Sequence, residues 1–185
     1  MLTSLPNLLT LARIVVIPLV VALLYLEGPT PHWIAFGLFS AACITDFFDG
    51  WLARRLNVVT PLGRFLDPIA DKLLVVAILV MLVAGGEIAG VSVIAALAIL
   101  AREILVSGLR EYLAELRVGM PVSKLAKWKT TVQMAALAVL LVAPALPGLP
   151  LLLALGEALL WLAALLTVVT GWDYVTRGLK HMTAR

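Results

Sequence analysis

The chain has 185 residues, 63% hydrophobic and 14% charged, with a mean hydropathy of +1.09. Soluble domains are about 45–50% apolar and about 25% charged, so a water-soluble globule is excluded and the chain reads as an integral membrane protein. Its net charge of +3 is small and its basic residues are scattered, which leaves no footprint for a nucleic-acid partner.

A helix needs about 20 apolar residues to cross the hydrocarbon. Apolar runs predict six spans: Leu8 to Leu26, Trp33 to Leu56, Pro61 to Ala84, Val91 to Leu116, Ser123 to Val142 and Leu149 to Val175. The fold expected is all-α, one six-helix transmembrane domain over residues 1–185. The first run contains Arg13 and Pro18 and lacks a basic n-region and an Ala-x-Ala site, so it is expected to be a retained helix rather than a signal peptide. Glu27-Gly-Pro-Thr-Pro, Gly85-Gly86-Glu87 and the proline-rich stretch from Pro144 to Pro150 break the runs and carry no Lys or Arg. Basic residues gather instead at Arg54, Arg55 and Arg64, at Arg117 to Lys129, and at Arg177, Lys180 and Arg185. The positive-inside rule therefore predicts both termini in the cytoplasm. Trp33, Trp51, Trp128 and Trp172 fall near span ends, where indoles favour the interface; Cys43 reads as a packing residue, and His32 and His181 as exposed interfacial histidines.

Four of the five aspartates lie between residues 46 and 71, inside the second and third spans. An ionised Asp at the bilayer centre costs about 2.5–3.5 kcal/mol on insertion scales, so such a cluster needs cations or a wet cavity. Asp46, Asp49, Gly50 and Ala53 recur at i, i+3, i+4 and i+7 and share one helix face. Thr60-Pro61 forms a plausible helix start, after which Gly63, Asp67 and Asp71 recur every fourth residue. A short connection makes the two helices antiparallel neighbours, so the four carboxylates can converge. All-oxygen ligands suit Mg²⁺ or Mn²⁺. Such ions commonly serve phosphoryl transfer, and Arg54 adds a guanidinium suited to phosphate.

The pattern Asp46-x2-Asp49-Gly50-x2-Ala53-Arg54-x8-Gly63-x3-Asp67-x3-Asp71 resembles the signature of the CDP-alcohol phosphatidyltransferase family at all eight fixed positions. Pro6-Asn7-Leu-Leu-Thr10-Leu-Ala-Arg13, Arg102-Glu103 through Arg110-Glu111, and Lys127-Trp-Lys129-Thr130 resemble the branch that uses sn-glycerol 3-phosphate. The resemblance implies a six-helix enzyme, usually a homodimer, with its site at the cytoplasmic face of a bacterial inner membrane. It implies that Asp46, Asp49, Asp67 and Asp71 hold two divalent cations, with Asp71 also the base on the acceptor hydroxyl. Gly50, Ala53, Arg54 and Thr60 are expected at the CDP moiety of the donor, CDP-diacylglycerol. The products implied are phosphatidylglycerophosphate and CMP.

Asn7, Thr10 and Arg13 begin the first span, where they can cap, snorkel or touch the nucleotide; Asn7 and Thr10 are taken as donor-binding candidates. Arg102, Arg110, Lys127 and Lys129 are candidates for the acceptor phosphate, although Arg110 and the lysines equally fit a positive-inside flank, and Arg102 a pair with Glu103 or Glu111. The signature is silent on the acceptor, so inositol phosphate, serine and phosphatidylglycerol are sibling alternatives. Further rivals are a prenyltransferase with Asp-rich motifs and a cation or proton transporter.

Overall fold

The computed structural model describes residues 5–56, 61–116, 118–119 and 123–183; the side chains of residues 5, 6, 47–56, 61, 62, 64, 177 and 180–183 lie outside that description, as does Thr60. The described residues form six α-helices and one 3₁₀ turn: α1 Leu5–Leu24, α2 Pro29–Leu56, α3 Pro61–Gly85, α4 Ser92–Glu115, α5 Lys124–Val142, the turn Ala143–Ala145, and α6 Pro150–Thr183. No strand occurs among them.

The helix limits follow local chemistry. Pro29 and Pro31 occupy the first turn of α2, where a missing N–H is not needed, so this helix starts four residues before the predicted Trp33. Gly86 at φ 89° closes α3 in the left-handed conformation that glycine adopts without a Cβ penalty. Ser123 caps α5, its Oγ accepting the Ala126 N–H at 3.1 Å. The last helix runs eight residues beyond the predicted Val175. Apolarity ends near Asp173, but helical hydrogen bonding does not require an apolar surface. At 1.5 Å per residue its 34 residues extend about 50 Å, longer than a hydrocarbon core of about 30 Å.

Five helices are long and apolar enough to cross a membrane; among the described residues α2 does not meet that measure. With 28 residues α2 has the length. Its apolarity is diluted by a Pro-Thr-Pro-His start and by Ser40, Thr45 and Asp46. Large apolar side chains face outward: Leu151 is 79%, Ile104 70% and Val91 69% exposed. Only a lipid solvent tolerates so much continuous apolar surface, so the chain is a membrane protein. Trp33, Trp128 and Trp172 are exposed, while the Trp51 side chain lies outside the description.

The chain divides into two compact units, Met1–Glu87 with Ala138–Leu153, and Ile88–Leu137 with Ala154–Arg185. In the first, α1 packs on both α2 and α3, and the 3₁₀ turn packs on α2. Val20, Phe39, Leu74, Ile78 and Leu82 fill its interior. His32 is half-buried, contrary to the exposed position expected for it: its Nδ1 donates to the Leu141 carbonyl at 3.1 Å. A helix-end carbonyl without an intrahelical donor supplies the reason. His181 lies among the side chains outside the description. The second unit is built from α4, most of α5 and most of α6 around Ile99, Leu113, Leu137 and Leu160.

Candidate active site

In the first unit the site grows from one stripe of α1. Asn7, Thr10 and Arg13 recur every third residue and are 1%, 2% and 3% exposed. Three polar side chains buried in an apolar helix require partners. The Thr10 hydroxyl donates to Asp67 Oδ1. Arg13 Nη1 donates to Asp71 Oδ1 at 2.7 Å, and its Nη2 lies 3.0 Å from Asp46 Oδ1. One guanidinium therefore joins carboxylates from α2 and α3.

The three carboxylates are unevenly covered. Arg13 has its side chain 2% exposed, whereas those of Asp46 and Asp71 are 46% and 41% exposed, and Asp67 is open as well. The contacts from Thr10 and Arg13 fall on Oδ1 of Asp67, Asp71 and Asp46. The cluster is thus backed by buried donors and open in front. Asp49, Gly50, Ala53 and Arg54 belong to α2 with side chains outside the description. Among the described residues no three acidic, Cys or His groups close into a metal cage. The donor set nonetheless fits a hard cation: it consists of carboxylate oxygens carried on two neighbouring helices, with no thiolate or imidazole in the contacts described. Cys43, the one cysteine of the chain, is half-buried one helical turn before Asp46.

The second unit holds another charged group. Lys129 Nζ meets Glu103 Oε1, and Arg102 Nη1 reaches the same oxygen at 3.4 Å. The Arg102 guanidinium lies 5.7 Å from the Tyr174 ring centroid, within cation–π range. Gly171 makes room for this arrangement, since a Cβ there would sit 3.0 Å from Arg102 Cγ. Buried Gln133 lies one turn from Lys129 on α5, and buried Thr167 two turns from Tyr174 on α6. Gln133 Oε1, Thr167 Oγ1 and Arg102 Nε have no hydrogen-bond partner among the described residues. Of the four predicted acceptor residues, the fold brings together Arg102 and Lys129; Arg110 and Lys127 are exposed.

The model of the family described as CDP-alcohol phosphatidyltransferase matches residues 3–169, nine-tenths of the chain. The chain belongs to the CDP-alcohol phosphatidyltransferase family. A relative from Rickettsia typhi, named CDP-diacylglycerol--glycerol-3-phosphate 3-phosphatidyltransferase, is 49% identical over 171 residues, covering 92% of this chain and 94% of its own. A relative of the same name from Shigella flexneri is 42% identical, covering 94% of this chain and 93% of its own. A phosphatidyltransferase-family match of another name, a cardiolipin synthase (CMP-forming) from Oryza sativa, is 39% identical over 94% of this chain and 56% of its own. Family membership decides against the prenyltransferase and transporter readings.

Sequence reasoning found the carboxylates and missed what holds them. Arg13 was one polar residue among three at a helix start, yet a charge nine residues into an apolar helix is itself a signal that a partner waits on another helix. Tyr174 gave no signal, because a tyrosine near a span end is ordinary at the membrane interface.

Proposed function

We propose that this membrane enzyme transfers the phosphatidyl group of CDP-diacylglycerol to sn-glycerol 3-phosphate, giving phosphatidylglycerophosphate and CMP. The observation that carries this reading is the convergence of Asp46, Asp67 and Asp71 at the packed faces of α1, α2 and α3, in a chain whose relatives carry the name of that reaction. Asp46, Asp49, Asp67 and Asp71 would hold divalent cations, Mg²⁺ or Mn²⁺, two in number. When bound, these cations neutralise the donor pyrophosphate and the departing CMP. Gly50, Ala53, Arg54, Thr60 and Asn7 are assigned to the donor, and Thr10 serves the donor through Asp67, to which its hydroxyl donates. Asp71 takes the proton of the acceptor hydroxyl. That hydroxyl oxygen attacks the phosphorus bearing diacylglycerol, and the bond from phosphorus to CMP breaks.

Arg102 and Lys129 are assigned to the acceptor phosphate, with Arg110 and Lys127 at an outer position. Two cations held at one carboxylate, with Arg102 Nε and Gln133 Oε1 lacking a hydrogen-bond partner among the described residues, suit a small anionic ligand. The protein is further read as a homodimer of a bacterial cytoplasmic membrane, with both termini and the site cytoplasmic.

A second reading, phosphatidylglycerol as acceptor, is favoured by the rice relative's name. The deciding experiment measures CMP release by purified protein in mixed micelles with CDP-diacylglycerol and Mg²⁺, comparing glycerol 3-phosphate, phosphatidylglycerol, inositol 1-phosphate and serine. Release specific to glycerol 3-phosphate and abolished by EDTA is expected. Release only with another acceptor overturns the acceptor assignment, and release that survives EDTA overturns the metal assignment.

A further inference from the structure

The carboxylates of the signature belong to α2 and α3, yet among the described residues Asp46, Asp67 and Asp71 receive hydrogen bonds and an ion pair from α1, which lies outside the signature. Thr10 precedes Arg13 by three residues on α1, and their partners Asp67 and Asp71 follow each other by four on α3, in the same order. Short Thr10 meets one carboxylate while long Arg13 reaches the next and crosses to Asp46 on α2. One buried stripe thereby fixes the orientation of three carboxyl groups.

Two roles for such a guanidinium lead to opposite results. A resident cation standing where metal belongs would compete with metal, and removing it would tighten metal binding. A donor behind the ligands would orient them, and removing it would loosen metal binding. The geometry points to the second: we propose that Thr10 and Arg13 are positioning residues that hold Asp46, Asp67 and Asp71 ready for the divalent cation. The Thr10 and Arg13 side chains are buried, the carboxylates they touch are exposed, and each of these contacts falls on Oδ1. A cation arriving from the open side has no need to displace Arg13. Groups that hydrogen-bond metal-binding carboxylates typically alter metal affinity about 10- to 100-fold when removed.

This inference rests on the metal reading above, and the test separates the two. Mn²⁺ binding to the purified full-length protein is measured from the free-ion electron paramagnetic resonance signal, without lipid substrate, alone and with saturating CMP, alongside thermal melting. Arg13→Gln is expected to weaken Mn²⁺ binding about 10- to 100-fold, with Arg13→Lys recovering part of it. Thr10→Val, which keeps the side-chain shape and removes the hydroxyl, is expected to weaken binding several-fold, and Thr10→Ser, which keeps the hydroxyl, to restore it. Variants that melt lower but bind Mn²⁺ as the unaltered protein does, or more tightly, overturn the positioning role while leaving the metal reading intact. If the unaltered protein binds no Mn²⁺ with or without CMP, the metal reading fails and the inference fails with it.

Discussion

Asp71 carries three demands on one carboxylate: Oδ1 receives Arg13 at 2.7 Å, and the group is also assigned a share of the divalent cations and the proton of the acceptor hydroxyl. Asp71→Asn keeps the volume and removes the base; turnover is expected to fall at least about 10²-fold, the scale of general base catalysis, measured as CMP release at saturating metal. Near-normal turnover would remove Asp71 from the base role. Arg102 and Lys129 make a different prediction, because they differ in burial from Arg110 and Lys127. Arg102→Met and Lys129→Met are expected to raise the KM for glycerol 3-phosphate about tenfold or more while leaving that for CDP-diacylglycerol nearly unchanged, whereas Arg110→Met and Lys127→Met should shift both little. Equal shifts for the two substrates would dissolve the acceptor assignment.

At the scale of elements, α4 and α6 meet through a glycine. The Arg102 stem crosses Gly171 and its guanidinium lies over the ring of Tyr174, three residues along the same helix. Gly171→Ala must push the stem aside, and Gly171→Leu cannot be accommodated without moving the guanidinium off the ring. The KM for glycerol 3-phosphate is therefore expected to rise with side-chain size at position 171, and a flat series would show that this approach is not needed for binding. Such contacts explain how much the sequence disclosed. The spacing of Asp67 and Asp71 on one helix follows from the 3.6-residue period alone, and the breaks at Gly86 and Pro29 follow from local backbone preferences. The partners of Arg13, 33 and 58 residues away, follow from neither, since no periodicity within a helix specifies which faces meet. The end of α6 was hidden for another reason: hydropathy marks where lipid ends, and the helix continues past that limit.

For the whole molecule, charge asymmetry among the loops predicts orientation. Single cysteines placed near Gly90 and Gly148, in a Cys43→Ser background, should react with an impermeant maleimide added outside intact cells, and one at Thr183 only after lysis. Labelling in the reverse sense would invert the topology and place the carboxylates at the outer face. The ion pairs around Arg13 also bear on how the protein is made. During synthesis α1 enters the membrane ahead of α2 and α3, carrying its guanidinium before Asp46 and Asp71 have followed. An isolated arginine within a span carries a penalty that reaches about 2.5–3.5 kcal/mol at the helix centre on insertion scales, and it persists until the next two helices follow. The first helix is thus the least settled part of the nascent chain, and its residence in lipid is secured only by the arrival of the acids that later serve the reaction. Biogenesis and catalysis draw on the same charges, so losing both Asp46 and Asp71 would deprive the cell of inserted protein as well as of turnover.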